Sequence, residues 1–95
     1  MPLRYDIYIG SDNDSQKLSR KYLELILEWA NNVFPEGYTL VKGEGYFNHS
    51  REESLIVSTV SQKELDPNGE VKSLKERLKQ DVILVTKYAV EAKVL

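Results

Sequence analysis

YTLVKGEGYFNHSREESLIVSTVS, residues Tyr38–Ser61, is the stretch that decides the fold. Tyr38–Lys42 favours extension, because Tyr38, Thr39 and Val41 are aromatic or β-branched. Gly43 and Gly45 then interrupt it and mark a bulge, or a place where another backbone or a ligand comes close. Glu53–Ser61 reads as a second strand, with Leu55, Val57 and Thr59 on one face and Ile56, Ser58 and Val60 on the other. A strand that is largely apolar on both faces belongs in the middle of a sheet. Asn48, His49 and Ser50 are ordinary turn residues, so the middle of the stretch reads as a hairpin tip.

Upstream, Arg4–Gly10 alternates as a strand, with Tyr5, Ile7 and Ile9 opposed to Asp6 and Tyr8. Gln16–Val33 reads as a helix, because Leu18, Tyr22, Leu25, Ile26, Trp29 and Val33 fall on one stripe. Ser11, Asp12, Asn13, Asp14 and Ser15 supply its N-cap candidates. Leu23, Leu27, Ala30 and Phe34 form a further strip on the same helix, which either widens the core or meets another copy. Pro35 and Gly37 end the helix.

Downstream, Gln62–Glu70 is a loop in which Asp66 or Asn68 caps a short helix over Glu70–Gln80. Asp81–Thr86, containing Val82-Ile83-Leu84-Val85, has the composition of a buried strand, and Lys87–Leu95 follows as a further strand or extended tail. The order strand, helix, strand, strand, helix, strand is that of the ferredoxin-like βαββαβ fold of the α+β class. Its antiparallel sheet carries two helices on one face, and its other face is bare unless a second protomer, the C-terminal tail or a ligand covers it. With 95 residues the expected organisation is a single domain, 1–95.

Composition removes several chemistries. There is no cysteine, which excludes disulfides, thiolate metal sites and a cysteine nucleophile. One histidine excludes a multi-histidine metal site within one chain. The formal net charge of −2 gives no drive toward nucleic acid or an anionic membrane. No apolar run approaches the ~18 residues of a membrane span, and MPLRYDIYIGSD runs straight into a strand without a signal-peptide core. The expectation is a cytoplasmic protein without metal or cofactor.

At Phe34-Pro35-Glu36-Gly37-Tyr38-Thr39-Leu40 the chain resembles an uncharacterised bacterial family of small domains. That family carries a Phe-Pro-Asp/Glu-Gly-Leu-Thr segment, then a Gly-aromatic pair, then Arg-Glu-x-Ser opening the next strand. Gly45-Tyr46 and Arg51-Glu52-Glu53-Ser54 stand in those places here, and Gln80-Asp81-Val82-Ile83-Leu84 is similar to its closing Gln-x-Ser-Val-Leu. Phe47 departs from it near an expected tryptophan, and so does the first loop. The resemblance implies a ferredoxin-like fold and no particular activity.

Three clusters are candidates for function. His49 with Glu52 or Glu53 has the residue types of a general acid–base pair, with Arg51 holding an anionic substrate; the plainer reading is an exposed turn. Asp12-Asn13-Asp14 with Ser11 and Ser15 offers oxygen ligands for a divalent cation, or free backbone N–H groups for an anion, but suits N-capping better. Lys42, Tyr46 and Arg51 around the two glycines have the chemistry of a binding rim: cations, an aromatic plate and a flexible backbone.

The leading expectation is a non-enzymatic, self-associating protein that binds a small anionic, nucleotide-type ligand and senses or sequesters it, in one form as a phage-borne sponge. The ligand-binding set is Lys42, Tyr46, His49, Arg51, Ser11 and Asn13. The alternatives are a small dimeric enzyme using His49 as acid or base, and a protein-interaction module or inhibitor. A homo-oligomer is expected in the first two cases.

Overall fold

The hairpin forms as the residue types demand, but without the bulge. β2 (Thr39–Phe47) pairs antiparallel with β3 (Ser50–Ser61) in unbroken register from Thr39↔Ser58 to Phe47↔Ser50. Both glycines sit inside the ladder, opposite Ser54 and Glu52. The turn is Asn48-His49, with φ of 49° and 65°. Two consecutive positive φ values make the tight two-residue corner whose twist matches that of the strands it joins.

The computed structural model of the chain describes residues 2–12 and 17–95, and the side chain of Phe47 is also outside that description. Around the hairpin stand β1 (Leu3–Gly10), α1 (Arg20–Val33), α2 (Lys72–Arg77) and β4 (Leu84–Ala89). The order along the chain is therefore β1-α1-β2-β3-α2-β4. Among the described residues the sheet has four strands in the order β2-β3-β1-β4, with neighbours antiparallel. β3 is interior to the sheet, as its two-sided apolar sequence requires.

Strand alternation puts Tyr5, Ile7 and Ile9 on the same face as Leu55 and Val57. The helices cover this face with Tyr22, Ile26, Trp29, Ala30 and Phe34 from α1 and its C-cap, and Leu74 and Leu78 from α2 and its end. Fully burying each such aliphatic side chain contributes roughly 1.5–3 kcal/mol. Polar atoms inside are matched: the Tyr5 hydroxyl accepts from the Leu65 N–H at 2.9 Å, and Trp29 Nε1 donates to the Glu70 carbonyl at 2.9 Å. Ala30 and Phe34 are buried and Leu23 is half-buried. The further strip of α1 is thus mostly core, and only Leu27 faces out.

Three boundaries differ from expectation. α1 starts at Arg20, and its cap is Ser19, whose hydroxyl accepts from the Tyr22 N–H at 3.3 Å. The expected caps Asn13, Asp14 and Ser15 and the expected first residue Gln16 lie outside the described residues. α2 is shorter than Glu70–Gln80, because one wide turn over Pro67–Val71, capped by Asp66, precedes it. The buried strand expected over Asp81–Thr86 is instead the edge strand β4, which begins at Leu84 and absorbs part of the expected tail. An edge strand has one neighbour, so Val82 and Leu84 stay exposed despite their apolar character. No regular element follows Ala89.

Candidate functional site

Polar side chains from separate elements converge where β1 ends. Ser11, the residue after β1, is wholly buried, and its hydroxyl donates to Glu52 Oε2 at 3.2 Å. Glu52 reaches there from β3 because two strands leave room. A Cβ on Gly10 of β1 would stand 3.0 Å from Glu52 Oε1, and one on Gly45 of β2 would stand 3.6 Å from Glu52 Cγ. The close approach expected at Gly45 is therefore real, and what approaches is the Glu52 side chain.

Gln80 comes from the other end of the chain. Lys79 takes φ 55°, its N–H donates to the Glu76 carbonyl, and the Gln80 N–H donates to the Lys75 carbonyl. This left-handed close of α2 reverses the chain and brings Gln80 Nε2 to the Ser11 carbonyl at 2.8 Å. Tyr22, in the first turn of α1, donates its hydroxyl proton to the Gly10 carbonyl at 2.7 Å. Next to Glu52, Glu53 points to the opposite face, and its Oε2 accepts from the Leu18 N–H at 2.7 Å, ahead of α1.

The field at this cluster is negative. The Tyr22 phenol is pushed up to about 12, first by burial and then by Asp12 and Glu52, with a hydrogen bond from Gln80 working the other way. Immediately beside it lies a groove of about 340 Å³ between α1 and the end of α2. Asp12 and Tyr22 line both. The rest of the groove carries Lys21, Arg77 and Lys79 over Leu25. Arg77 is also paired with Glu28 at 3.5 Å. An acidic cluster thus meets a basic groove along the Tyr22 ring.

The expected binding residues fall in different places. Tyr46 and Arg51 stand opposite each other in the β2–β3 ladder. Glu44 joins them, accepting from the Tyr46 hydroxyl at 3.0 Å and from Arg51 at 2.6 Å. These contacts hold the Glu44 carboxyl below its ordinary range, the Tyr46 hydrogen bond first and Arg51 next. Lys42 is exposed on the same side of β2, and His49 is exposed at the hairpin corner. Ser11 lies in the strand-end cluster, and Asn13 is outside the described residues. The structure therefore brings Tyr46 and Arg51 together, and separately Ser11 with Glu52.

Three site residues escaped the sequence reading in that role: Glu52, taken as a helper of His49; Tyr22, taken as core; and Gln80, taken as a helix end. The one local signal was the glycine at Gly45. Among the described residues, no three histidine or acidic side chains come together as a metal site. No helix among them is long and apolar enough to cross a membrane.

A solved structure shares this architecture. It is a phage SAM lyase in complex with S-methyl-5'-thioadenosine, with a TM-score of 0.53 and 15% identity over 92% of this chain and 80% of that chain. The likeness is one of fold. No family model and no curated protein matches the chain.

Proposed function

We propose that this protein is a ferredoxin-like domain that binds a nucleoside-type small molecule carrying an anionic arm, and that it senses or sequesters this ligand. The observation that carries the reading is the junction at Tyr22. On one side Glu52, Ser11 and Gln80 offer a carboxylate, a hydroxyl and an amide. On the other a groove of about 340 Å³ is lined by Lys21, Arg77 and Lys79. A carboxylate beside an amide suits the paired hydroxyls of a ribose, since it accepts two hydrogen bonds. Basic side chains suit a carboxylate or phosphate. The groove volume lies within the range of ligand pockets, though near the lower end.

The fold likeness to a protein solved with a thioadenosine supports the nucleoside half of the reading. The anionic character expected from Lys42 and Arg51 is transferred to the groove, because Arg51 is already engaged by Glu44 at 2.6 Å. Kinship with the small bacterial family resembled at Phe34–Leu40 is compatible with this reading and adds no activity to it.

A second reading has one observation in its favour. The same neighbour is a lyase, and Glu52 and Tyr22 place a carboxylate and a phenol side by side at the corresponding strand end. In that reading the protein cleaves SAM and releases S-methyl-5'-thioadenosine, with the acidic cluster facing the sulfonium.

Calorimetry with adenosine, AMP, S-methyl-5'-thioadenosine and SAM tests both. AMP or SAM is expected to bind more tightly than its uncharged counterpart, Glu52→Gln to weaken all ligands at least tenfold, and Arg77→Ala to weaken only the anionic ones. The absence of any heat or thermal shift with a folded sample removes the binding reading. Release of S-methyl-5'-thioadenosine from SAM, followed chromatographically, selects the lyase.

A further inference from the structure

The sheet face turned away from the helices is uncovered, and its composition differs from the rest of the surface. By strand alternation it carries Tyr8, Val41, Ile56, Val60, Leu84 and Tyr88. Val41 is 45% exposed, Val60 49% and Leu84 57%. A concavity of about 640 Å³ opens across it, with Val41, Ile56 and Val60 in its walls and Asp6 and Ser58 in its floor.

Between Thr39 and Tyr88 the charged side chains of this face are Arg4 and Asp6, in a chain of which 29% is charged. They hold each other at 3.1 Å. Arg4 also lies over the Tyr88 ring at 5.4 Å. Asp6 takes two further hydrogen bonds, from Ser58 and from Tyr88, each at 2.7 Å. Its charge is therefore neutralised within its own chain, and its oxygens ask nothing of water. The face is electrically neutral and rich in aliphatic and aromatic surface.

We propose that this face is the interface between copies of this chain, which pack sheet against sheet. Charge decides the occupant. A neutral face meets an identical one without like-charge repulsion, whereas an acidic or basic protein gains no electrostatic complementarity there. The helical side is unsuited to the same role, because α1 presents Arg20, Lys21, Glu24 and Glu28 outward.

Size is consistent. Four strands ~4.8 Å apart and about seven residues long at ~3.3 Å per residue make a face roughly 19 Å by 23 Å. That is the footprint scale of the ~800 Å² of accessible surface that each partner gives to a standard interface. Two such faces pack with strands nearly aligned and side chains interdigitating ~10 Å apart. A domain of this length commonly supplements a limited core by oligomerising. The inference is independent of the ligand reading, since the Tyr22 junction lies at the strand end.

Sedimentation velocity and light scattering on the full chain test it. Wild type is expected at a whole multiple of 11.0 kDa, and the Val41→Asp/Val60→Asp double variant at 11.0 kDa with an unchanged circular dichroism spectrum. Leu84→Lys, on the opposite edge strand, is the second variant and is expected to do the same. A monomeric wild type at high micromolar concentration overturns the proposal. So does a multimer that survives these substitutions, one that Leu27→Asp dissociates instead, or one that depends on residues 91–95 and not on the face.

Discussion

The Tyr22 hydroxyl donates to the Gly10 carbonyl at 2.7 Å and so fastens the first turn of α1 to the end of β1. The phenol is pushed up to about 12 from an ordinary value of 10.0, burial being the main cause. A group whose folded value is raised adds stability that is complete below its unfolded value and is lost as pH rises toward the folded one. Stability should therefore fall between about pH 10 and pH 12 by roughly 2–3 kcal/mol. Urea unfolding across that range should show the decline in wild type and a flatter profile in Tyr22→Phe. Equal slopes in the two proteins would remove Tyr22 as the cause.

Gly10 gives Glu52 its place. A Cβ there meets Glu52 Oε1 at 3.0 Å and Gln80 Oε1 at 3.4 Å, both the far ends of flexible side chains. Gly10→Ala should therefore fold, with a melting temperature within a few degrees of wild type, while displacing the carboxylate. Ligand affinity should drop about tenfold, an energy of ~1.4 kcal/mol. Undisturbed affinity in the variant would mean that Glu52 does not touch the ligand.

His49 occupies a left-handed corner, with φ 65°, next to Asn48 at 49°. Glycine adopts that conformation without steric penalty, and Asn-Gly is the preferred pair for such a turn. His49→Gly should raise stability by about 0.5–1 kcal/mol once the extra chain entropy of glycine is set against the relieved strain. Ligand binding, and any turnover of SAM, should be unchanged. A large loss of turnover would restore His49 as an acid or base.

Asp6 is 5% exposed. Burial pushes its carboxyl up, but hydrogen bonds from Tyr88, Ser58 and Arg4 outweigh this and leave it below the ordinary range. A lowered folded value contributes stability that is present above the unfolded value, at about pH 4, and is lost as the pH falls through the folded one. Acid titration of unfolding should show this loss in wild type and a smaller one in Asp6→Asn. The variant should be less stable at neutral pH by about 1–3 kcal/mol, the usual scale for a charge-assisted hydrogen bond. A variant as stable as wild type at neutral pH would mean that the three donors find water equally well.

The strands of the hairpin and the stripe of α1 were legible because their residue types and periods admit few alternatives. The start of α1 was misread because five polar residues from Ser11 to Ser15 outweigh one serine by composition, whereas Ser19 caps through its bond to the Tyr22 N–H. β4 was misread for a different reason: Val82–Val85 has the apolarity of a buried strand, but burial depends on neighbours, and an edge has one. The strand-end cluster was invisible. Ser11, Glu52 and Gln80 are far apart in sequence, and only the pairing of β1 with β3 and the left-handed turn at Lys79 bring them together. Gly45 was recognised as a point of close approach, without a sign of which group would approach.

β1 lies between β3 and β4, and its pairing Leu3↔Ala89 spans almost the whole chain. The first strand to leave the ribosome is thus the last to gain its second neighbour. The β2–β3 hairpin needs only local loop closure and can form early, while β1 waits for some eighty residues to follow. Distant pairings of this kind slow folding. Gln80 immediately precedes that final strand, so the strand-end cluster assembles in the closing step of folding. Newly made protein should therefore acquire its compact hairpin before it acquires the ability to bind anything.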